Sequence, residues 1–220
     1  MKQRLRIARV MHGTSAEGPG VRSAVWFQGC SIRCPGCINP HLFSPKGGED
    51  ADLNIVLERA IDSGAEGITL LGGEPFDQPG AGAQLAEMAQ GRGLGVIAFT
   101  GFTYEKLIDK DASTHRLLAA IDLLVDGPYI AEARDGLRSL VGSTNQRFIH
   151  LSKRYAAYRP ELNRNRIDVR VGADGLIELA GFLGTEDLTS FAEIAGVRRQ
   201  LRSPSLPTLD KAPGSSRIVS

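Results

Sequence analysis

This chain of 220 residues has few cysteines, almost no net charge and no long apolar run. No stretch without a charged residue exceeds twelve residues, well short of the roughly 20 apolar residues that a membrane-spanning helix needs. The 26 Lys and Arg residues nearly balance the 25 Asp and Glu residues, so no net field attracts nucleic acid or an anionic membrane. The first residues contain no apolar signal sequence. We therefore expect a cytoplasmic protein that binds neither membranes nor nucleic acid.

All three cysteines, Cys30, Cys34 and Cys37, fall within eight residues. An odd and tightly clustered set in a cytoplasmic chain argues against disulfides and favours a metal or redox site. Three thiolates on a short loop suit an iron–sulfur cluster, and they leave one iron of a [4Fe–4S] cube open for a ligand. The alternative is a structural zinc ion with His41 as the fourth ligand.

Strand and helix patterns alternate over residues 23–126. The predicted strands are 23–28, 67–71, 93–100 and 121–126, and the predicted helices are 52–63, 80–90, 104–108 and 115–120. A further strand over 5–11 is expected at an edge of the sheet. This alternation predicts an α/β protein with a parallel sheet, either open or curled toward a barrel.

Candidate site residues follow the ends of these predicted strands. They are the cysteine loop, the turn Gly72-Gly73-Glu74-Pro75, Thr100 and Asp126. In parallel α/β sheets, ligands bind at the carboxyl ends of the strands. The sequence therefore predicts that these residues share one site. Arg22, in the glycine-rich stretch 18–22, is expected at the surface or near a carboxylate.

The last third of the chain has a different character. Residues 147–170 contain seven basic and two acidic residues, which indicates either a solvated basic face or a docking surface for an acidic partner. Alternating polarity over 167–179 predicts a hairpin. Half of residues 203–220 are Ser, Pro or Gly, a composition typical of a disordered tail.

Residues 29–39 (GCSIRCPGCIN), followed by the Gly72-Gly73-Glu74-Pro75 turn, resemble the radical S-adenosylmethionine superfamily. Within it, the chain is similar to the glycyl-radical-enzyme activases, especially those of anaerobic ribonucleotide reductase. Weaker matches follow in the same order over roughly residues 7–151. They are 18–22 (GPGVR), 100–102 (TGF), 124–127 (LVDG) and 142–146 (GSTNQ).

The resemblance implies a partial (β/α) barrel and a [4Fe–4S] cluster held by Cys30, Cys34 and Cys37. S-adenosyl-L-methionine would chelate the open iron and be cleaved reductively to methionine and a 5′-deoxyadenosyl radical. That radical would take a hydrogen atom from a glycine of a large glycyl-radical enzyme or from another protein or peptide substrate. The electron would come from a reduced flavodoxin or ferredoxin-type protein. The cofactor-binding residues that it implies are Gly36, Ile38, Asn39, Gly72, Gly73, Glu74, Thr100 and Asp126.

Two departures from the activases keep other functions open. Val141 stands where the subfamily has the arginine of Arg-Gly-Ser, and residues 152–220 extend past the end of the smallest activases. We expect a radical S-adenosylmethionine core domain over 1–151, an extension with a hairpin and a helix packed on this core over 152–202, and a disordered tail over 203–220. The alternatives are radical modification of another peptide or a nucleoside, and a zinc- or cluster-stabilised interaction module.

Overall fold

A computed structural model describes residues 4–182 and Thr189 of the chain. Within these residues the strands are β1 (Leu5–Thr14), β2 (Arg22–Phe27), β3 (Glu49–Ala51), β4 (Gly67–Gly72), β5 (Gly95–Phe99), β6 (Leu123–Asp126), β7 (Arg147–His150), β8 (Ile167–Val171) and β9 (Ile177–Gly181). The α-helices are α1 (Leu53–Asp62), α2 (Pro79–Gly91), α3 (Tyr104–Ile108) and α4 (Ala112–Ala119). Two of the helices begin at aspartates whose carboxylates accept backbone N–H groups of the first turn, Asp52 for α1 and Asp111 for α4.

Seven strands form a mixed sheet in the order β3-β1-β2-β4-β5-β6-β7. The four central strands β2, β4, β5 and β6 run parallel, whereas β1, β3 and β7 join antiparallel. The predicted α/β alternation is therefore confirmed. The strand order has two ends, at β3 and β7, and the predicted partial barrel is not confirmed. The expectation that β1 lies at the edge is wrong, since the short strand β3 pairs with its outer side.

The α-helices pack on one face of this sheet. Alternate residues of the central strands, such as Phe27, Leu70 and Ala98, form a core with apolar residues from all four helices. The residues between them point to the opposite face, where Trp26 and Leu71 form a second cluster. We call this second side the inner face.

The predicted hairpin is present as β8 and β9, which form a separate two-stranded sheet. It packs on the inner face through the buried Ala180 and through polar contacts to β1 and the loop after it. The Asp168 carboxylate accepts hydrogen bonds from Thr14 Oγ1 at 2.5 Å and from the Ser15 N–H at 2.8 Å. The helix predicted for the extension and the predicted tail over 203–220 lie outside the described residues.

Arg22 is fully buried at the start of β2, which corrects the expectation of a surface position. The carboxylates of Asp122 and Glu66 are near enough to raise its pKa, although its hydrogen bonds go to other groups. Its guanidinium donates to Thr69 Oγ1 at 2.6 Å, to Tyr155 OH at 2.8 Å and to the Gly95 carbonyl at 3.1 Å. Burial lowers the pKa of this side chain, although Tyr155 opposes the effect. Arg22 thus links neighbouring strands by hydrogen bonds at the end of the sheet opposite the cysteine loop.

No helix among the described residues has the length and apolar character needed to cross a membrane.

Candidate functional site

A cavity of about 150 Å³ lies beyond the carboxyl ends of the parallel strands. All three cysteines line it together with parts of the loops that follow β4, β5 and β6. The full lining is Cys30, Ile32, Cys34, Cys37, Asn39, Phe43, Gly72, Gly73, Glu74, Phe99, Thr100, Gly101, Gly127, Tyr129 and Gln146. The structure therefore brings together most of the residues that the sequence nominated.

The cysteine loop leaves β2 and is anchored by backbone hydrogen bonds at its start. The Cys30 N–H donates to the Phe43 carbonyl at 3.2 Å, and the Cys37 N–H donates to the Cys34 carbonyl at 3.2 Å. Cys37 Sγ accepts the Asn39 N–H at 3.4 Å. All three thiols are partly exposed. Partial burial raises the pKa of Cys30 and of Cys37, while nearby backbone N–H groups oppose the rise.

The turn after β4 holds the base of the cysteine loop with its backbone. The Gly73 N–H donates to the Phe27 carbonyl at 2.9 Å, and the Glu74 N–H donates to the Gly29 carbonyl at 2.8 Å. Gly72 has a φ of +101°, and a Cβ there would lie 2.7 Å from Trp26 Cα. A Cβ on Gly73 would collide with the Gly29 carbonyl oxygen. Both glycines are therefore required by the close approach of two backbones.

Glu74 is buried at the wall of the cavity, and its carboxylate ties the end of β4 to the end of β5. Oε1 accepts the Phe76 N–H and the Thr100 hydroxyl, each at 2.9 Å, and Oε2 accepts the Gly101 N–H at 2.8 Å. Burial raises the pKa of Glu74 to about 7, against the lowering effect of these hydrogen bonds. Its side chain therefore completes the turn, and its contact with a cofactor stays a prediction.

The remaining nominated residues fall into two groups. Asn39 and Thr100 line the cavity, although the Thr100 hydroxyl already donates to Glu74. Gly36, Ile38 and Asp126 do not line it. Asp126 is fully buried, and its carboxylate accepts hydrogen bonds from Arg147 Nη2 at 2.5 Å and from the Tyr104 N–H at 2.7 Å. The Asp126 carboxylate therefore has internal partners, and its contact with a cofactor stays a prediction.

Several lining residues were not nominated from the sequence. Ile32, Phe43, Phe99 and Tyr129 supply apolar surface, and nothing in their local patterns distinguishes them from core residues. Gln146 could have been found from the sequence, because it is the last residue of the 142–146 match to the activases. Its Oε1 accepts the Gly142 N–H at 2.8 Å and its Nε2 donates to the Gly127 carbonyl at 3.2 Å, which fixes two loops of the wall.

The basic segment 147–170 is partly neutralised within the protein. Arg147 pairs with Asp126 and with Glu105, and Arg154 lies 3.8 Å from a carboxylate oxygen of Asp122. Arg170 donates to the His12 carbonyl oxygen. Several of its charges thus serve internal contacts, and the excess of basic residues overstates the free basic surface.

The donor set of the cavity fits an iron–sulfur cluster. Soft thiolates are the usual ligands of such clusters, and here three thiols face one partly open space. Within the described part of the chain, no three His, Cys, Asp or Glu side chains surround a point that could hold a single metal ion. A cubane binds each thiolate at a different iron, so its ligands need not converge on one point. His41, the fourth ligand of the zinc alternative, is exposed and is not part of the lining.

Comparison with known proteins agrees with this geometry. The family model described as a 4Fe-4S single cluster domain matches residues 16–149. The anaerobic ribonucleoside-triphosphate reductase-activating protein of Escherichia coli (strain K12) is 29% identical over 145 residues, which cover 61% of this chain and 91% of that protein. The protein of the same name from Vibrio cholerae serotype O1 is 32% identical over 140 residues, which cover 59% of this chain and 87% of that protein.

A longer relative matches over a smaller share of its own length. The pyruvate formate-lyase-activating enzyme of Clostridium pasteurianum is 27% identical over 140 residues, or 60% of this chain, but the match spans only 55% of that enzyme. The chain belongs to the 4Fe-4S single cluster domain family and, within the radical S-adenosylmethionine superfamily, to the glycyl-radical-enzyme activase type. The resemblance inferred from the cysteine motif is confirmed.

Proposed function

We propose that this protein is a radical S-adenosylmethionine enzyme that installs a glycyl radical on a large partner enzyme. The cleavage would take place at a [4Fe–4S] cluster held by Cys30, Cys34 and Cys37. The observation that carries the proposal is the shared cavity, in which the three thiols face the Gly72-Gly73 turn. When bound, the cluster supplies the electron that breaks a carbon–sulfur bond of S-adenosylmethionine.

The protein's own residues bind, orient and exclude water. Gly72 and Gly73 line the cavity with the thiols, and because they lack side chains the turn packs directly on the backbone of Trp26 and Gly29. Ile32, Phe43 and Phe99 form apolar wall surface, which favours exclusion of water from the reacting groups. No side chain is needed as a nucleophile or general base. The electron donor that we propose is a reduced flavodoxin or ferredoxin-type protein.

The first test is the metal content and the cleavage reaction of protein purified without oxygen. Reconstituted protein should carry about four irons and four sulfides per chain, whereas a zinc module would carry about one zinc. Given dithionite and S-adenosylmethionine, it should release 5′-deoxyadenosine. Cys34→Ala should lose both the cluster and the cleavage, while Ser113→Ala, a small change on α4, should retain both. Release of 5′-deoxyadenosine by Cys34→Ala at the wild-type rate would contradict the ligand assignment.

The second test concerns the acceptor. Mixed with an anaerobic ribonucleotide reductase from the same organism, the reduced protein and S-adenosylmethionine should generate an electron paramagnetic resonance signal of a glycyl radical. The signal should depend on the intact C-terminal glycine loop of the reductase. Cleavage without this signal would reject the reductase as the acceptor and leave the cleavage chemistry in place.

A second candidate is radical modification of a different peptide or of a nucleoside. The observation that favours it is the hairpin β8–β9, which lies outside the matched residues 16–149 and packs on the inner face. Phe182, just after the hairpin, lies with its ring centroid 5.8 Å from that of Phe99, a lining residue. The extension therefore lies beside the cavity, where it could contact an acceptor that approaches the thiols. Formation of a modified peptide or nucleoside in place of a glycyl radical would establish this function.

A further inference from the structure

Asp77 lies in the short 3-10 helix Pro75–Asp77 that follows the Gly72-Gly73 turn, and it reaches across to the cysteine loop. Its Oδ2 accepts the Ser31 N–H at 2.7 Å, and its Oδ1 accepts the Ser31 hydroxyl at 2.7 Å. Ser31 directly follows Cys30 in the sequence. One carboxylate therefore clamps both the backbone and the side chain of the residue next to a candidate cluster ligand.

The clamp completes a set of contacts around Cys30. Backbone hydrogen bonds hold the residues on its amino side, because the Glu74 N–H donates to the Gly29 carbonyl and the Cys30 N–H donates to the Phe43 carbonyl. On its carboxyl side, the hydrogen bonds that tie the loop to the core within the described part of the chain are the two from Ser31 to Asp77. Beyond Ser31, the Cys37 N–H bonds to the Cys34 carbonyl within the loop itself. Cys30 is thus the thiol whose backbone is fixed on both sides.

We propose that Asp77 is a positioning residue for the cluster, which fixes Cys30 through Ser31 without touching the cluster or the cofactor. This inference rests on the proposed function, because it needs a cluster bound by Cys30. Asp77 does not line the cavity. Fixed ligands slow the loss of a metal centre, because a thiolate that is held in position can rebind its iron before the iron leaves. A negative charge close to a cluster also lowers its reduction potential.

Three substitutions separate geometry from charge. Asp77→Ala removes both hydrogen bonds and the charge, and it should increase the rate of iron loss to a chelator roughly tenfold. Ser31→Ala removes one bond and should give an increase of about threefold. Asp77→Asn can keep both bonds, through its oxygen to the Ser31 N–H and its amide group to the Ser31 hydroxyl oxygen. It should retain iron like the wild type but have a more positive reduction potential.

Asp111→Ala is the matched control. The Asp111 carboxylate also accepts a serine hydroxyl and a backbone N–H, from Ser113 at 2.6 Å and from Thr114 at 2.9 Å, but at the start of α4. It should change neither the rate of iron loss nor the potential. If Asp77→Ala does not fold, Ser31→Ala and Asp77→Asn decide the question.

The outcomes distinguish this proposal from the proposed function. A wild-type protein that cannot be reconstituted with a cluster overturns both. A wild-type protein with a cluster and S-adenosylmethionine cleavage, together with wild-type iron loss in Asp77→Ala and Ser31→Ala, overturns the role of Asp77 alone. Iron loss in Asp77→Asn as fast as in Asp77→Ala also overturns it, because geometry would then not be what Asp77 supplies.

Discussion

Replacing Glu17 with Gln should remove a loss of stability that the protein undergoes as the pH rises toward neutrality. Glu17 is 3% exposed, in the loop between β1 and β2, and its Oε1 accepts the Gly181 N–H of the hairpin at 2.7 Å. Burial raises the pKa of Glu17 from 4.5 to about 7. The Gly181 N–H and Arg9 lower this pKa, whereas Asp168 adds to the rise.

The sign follows from the raised pKa. Below pH 4.5 the carboxyl is protonated in both the folded and the unfolded chain, and the hairpin keeps its contact at no electrostatic cost. Between pH 4.5 and about 7 the unfolded chain releases this proton and the folded protein does not. Stability is lost over this interval at about 1.4 kcal/mol per pH unit, which amounts to about 3 kcal/mol. Above the folded pKa the loss is complete and constant.

Trp26 provides the assay, because it is the one Trp in the sequence and lies on the inner face beneath the hairpin. The Arg9 guanidinium lies 3.7 Å from its ring centroid and donates to the Leu179 carbonyl of β9 at 2.7 Å. Urea unfolding followed by Trp26 fluorescence should show Glu17→Gln gaining about 3 kcal/mol over the wild type between pH 4.5 and pH 8. Glu49→Gln, at an exposed carboxyl of β3, should leave the profile unchanged. A difference between Glu17→Gln and wild type that is independent of pH would refute the reasoning.

Two further substitutions test the ends of the sheet. Arg22→Lys keeps a buried charge but loses most of the hydrogen bonds of the guanidinium, and it should lower the free energy of unfolding by about 3 kcal/mol, measured in urea. An unchanged midpoint would show that its buried contacts contribute little. Gly73→Ala should lower iron uptake at least about tenfold, because its Cβ displaces the backbone that holds Gly29. Gly91→Ala, where a Cβ meets no atom within 4 Å, is its control, and equal iron uptake by both variants would contradict the argument.

Spacing along the chain predicted the parts of this protein that depend on local pattern. Cys30, Cys34 and Cys37 are close in sequence, and the Gly72-Gly73 turn follows a strand that apolar residues make recognisable. Because parallel strands end at one edge of a sheet, their loops were expected to meet there, and they line one cavity. Asp77 was not predicted as part of the site, since its partner Ser31 is 46 residues away.

Local sequence pattern does not show which polar side chains already form hydrogen bonds or ion pairs within the folded protein. Asp126 follows a strand, as a ligand-binding residue would, yet Arg147 from the next strand occupies its carboxylate. Arg22 is a residue type usually found at the surface, yet its guanidinium is buried and donates to the Gly95 carbonyl and the Thr69 hydroxyl. Such pairings arise from the tertiary fold, and no spacing rule along the chain encodes them.

The occupied side chains change what should control cofactor affinity. Glu74 is committed to three internal hydrogen bonds, the Thr100 hydroxyl is committed to Glu74, and both groups of the Gln146 amide are committed to loop backbone. Apart from the Asn39 amide and the Tyr129 hydroxyl, the wall of the cavity therefore offers a ligand thiols, backbone and apolar surface. These polar side chains act by holding backbone groups in place, so replacing them should loosen the site before it removes any contact with a ligand. Under the proposed function, affinity for S-adenosylmethionine should accordingly follow the rigidity of the turn more closely than the charge of Glu74 or the presence of the Thr100 hydroxyl.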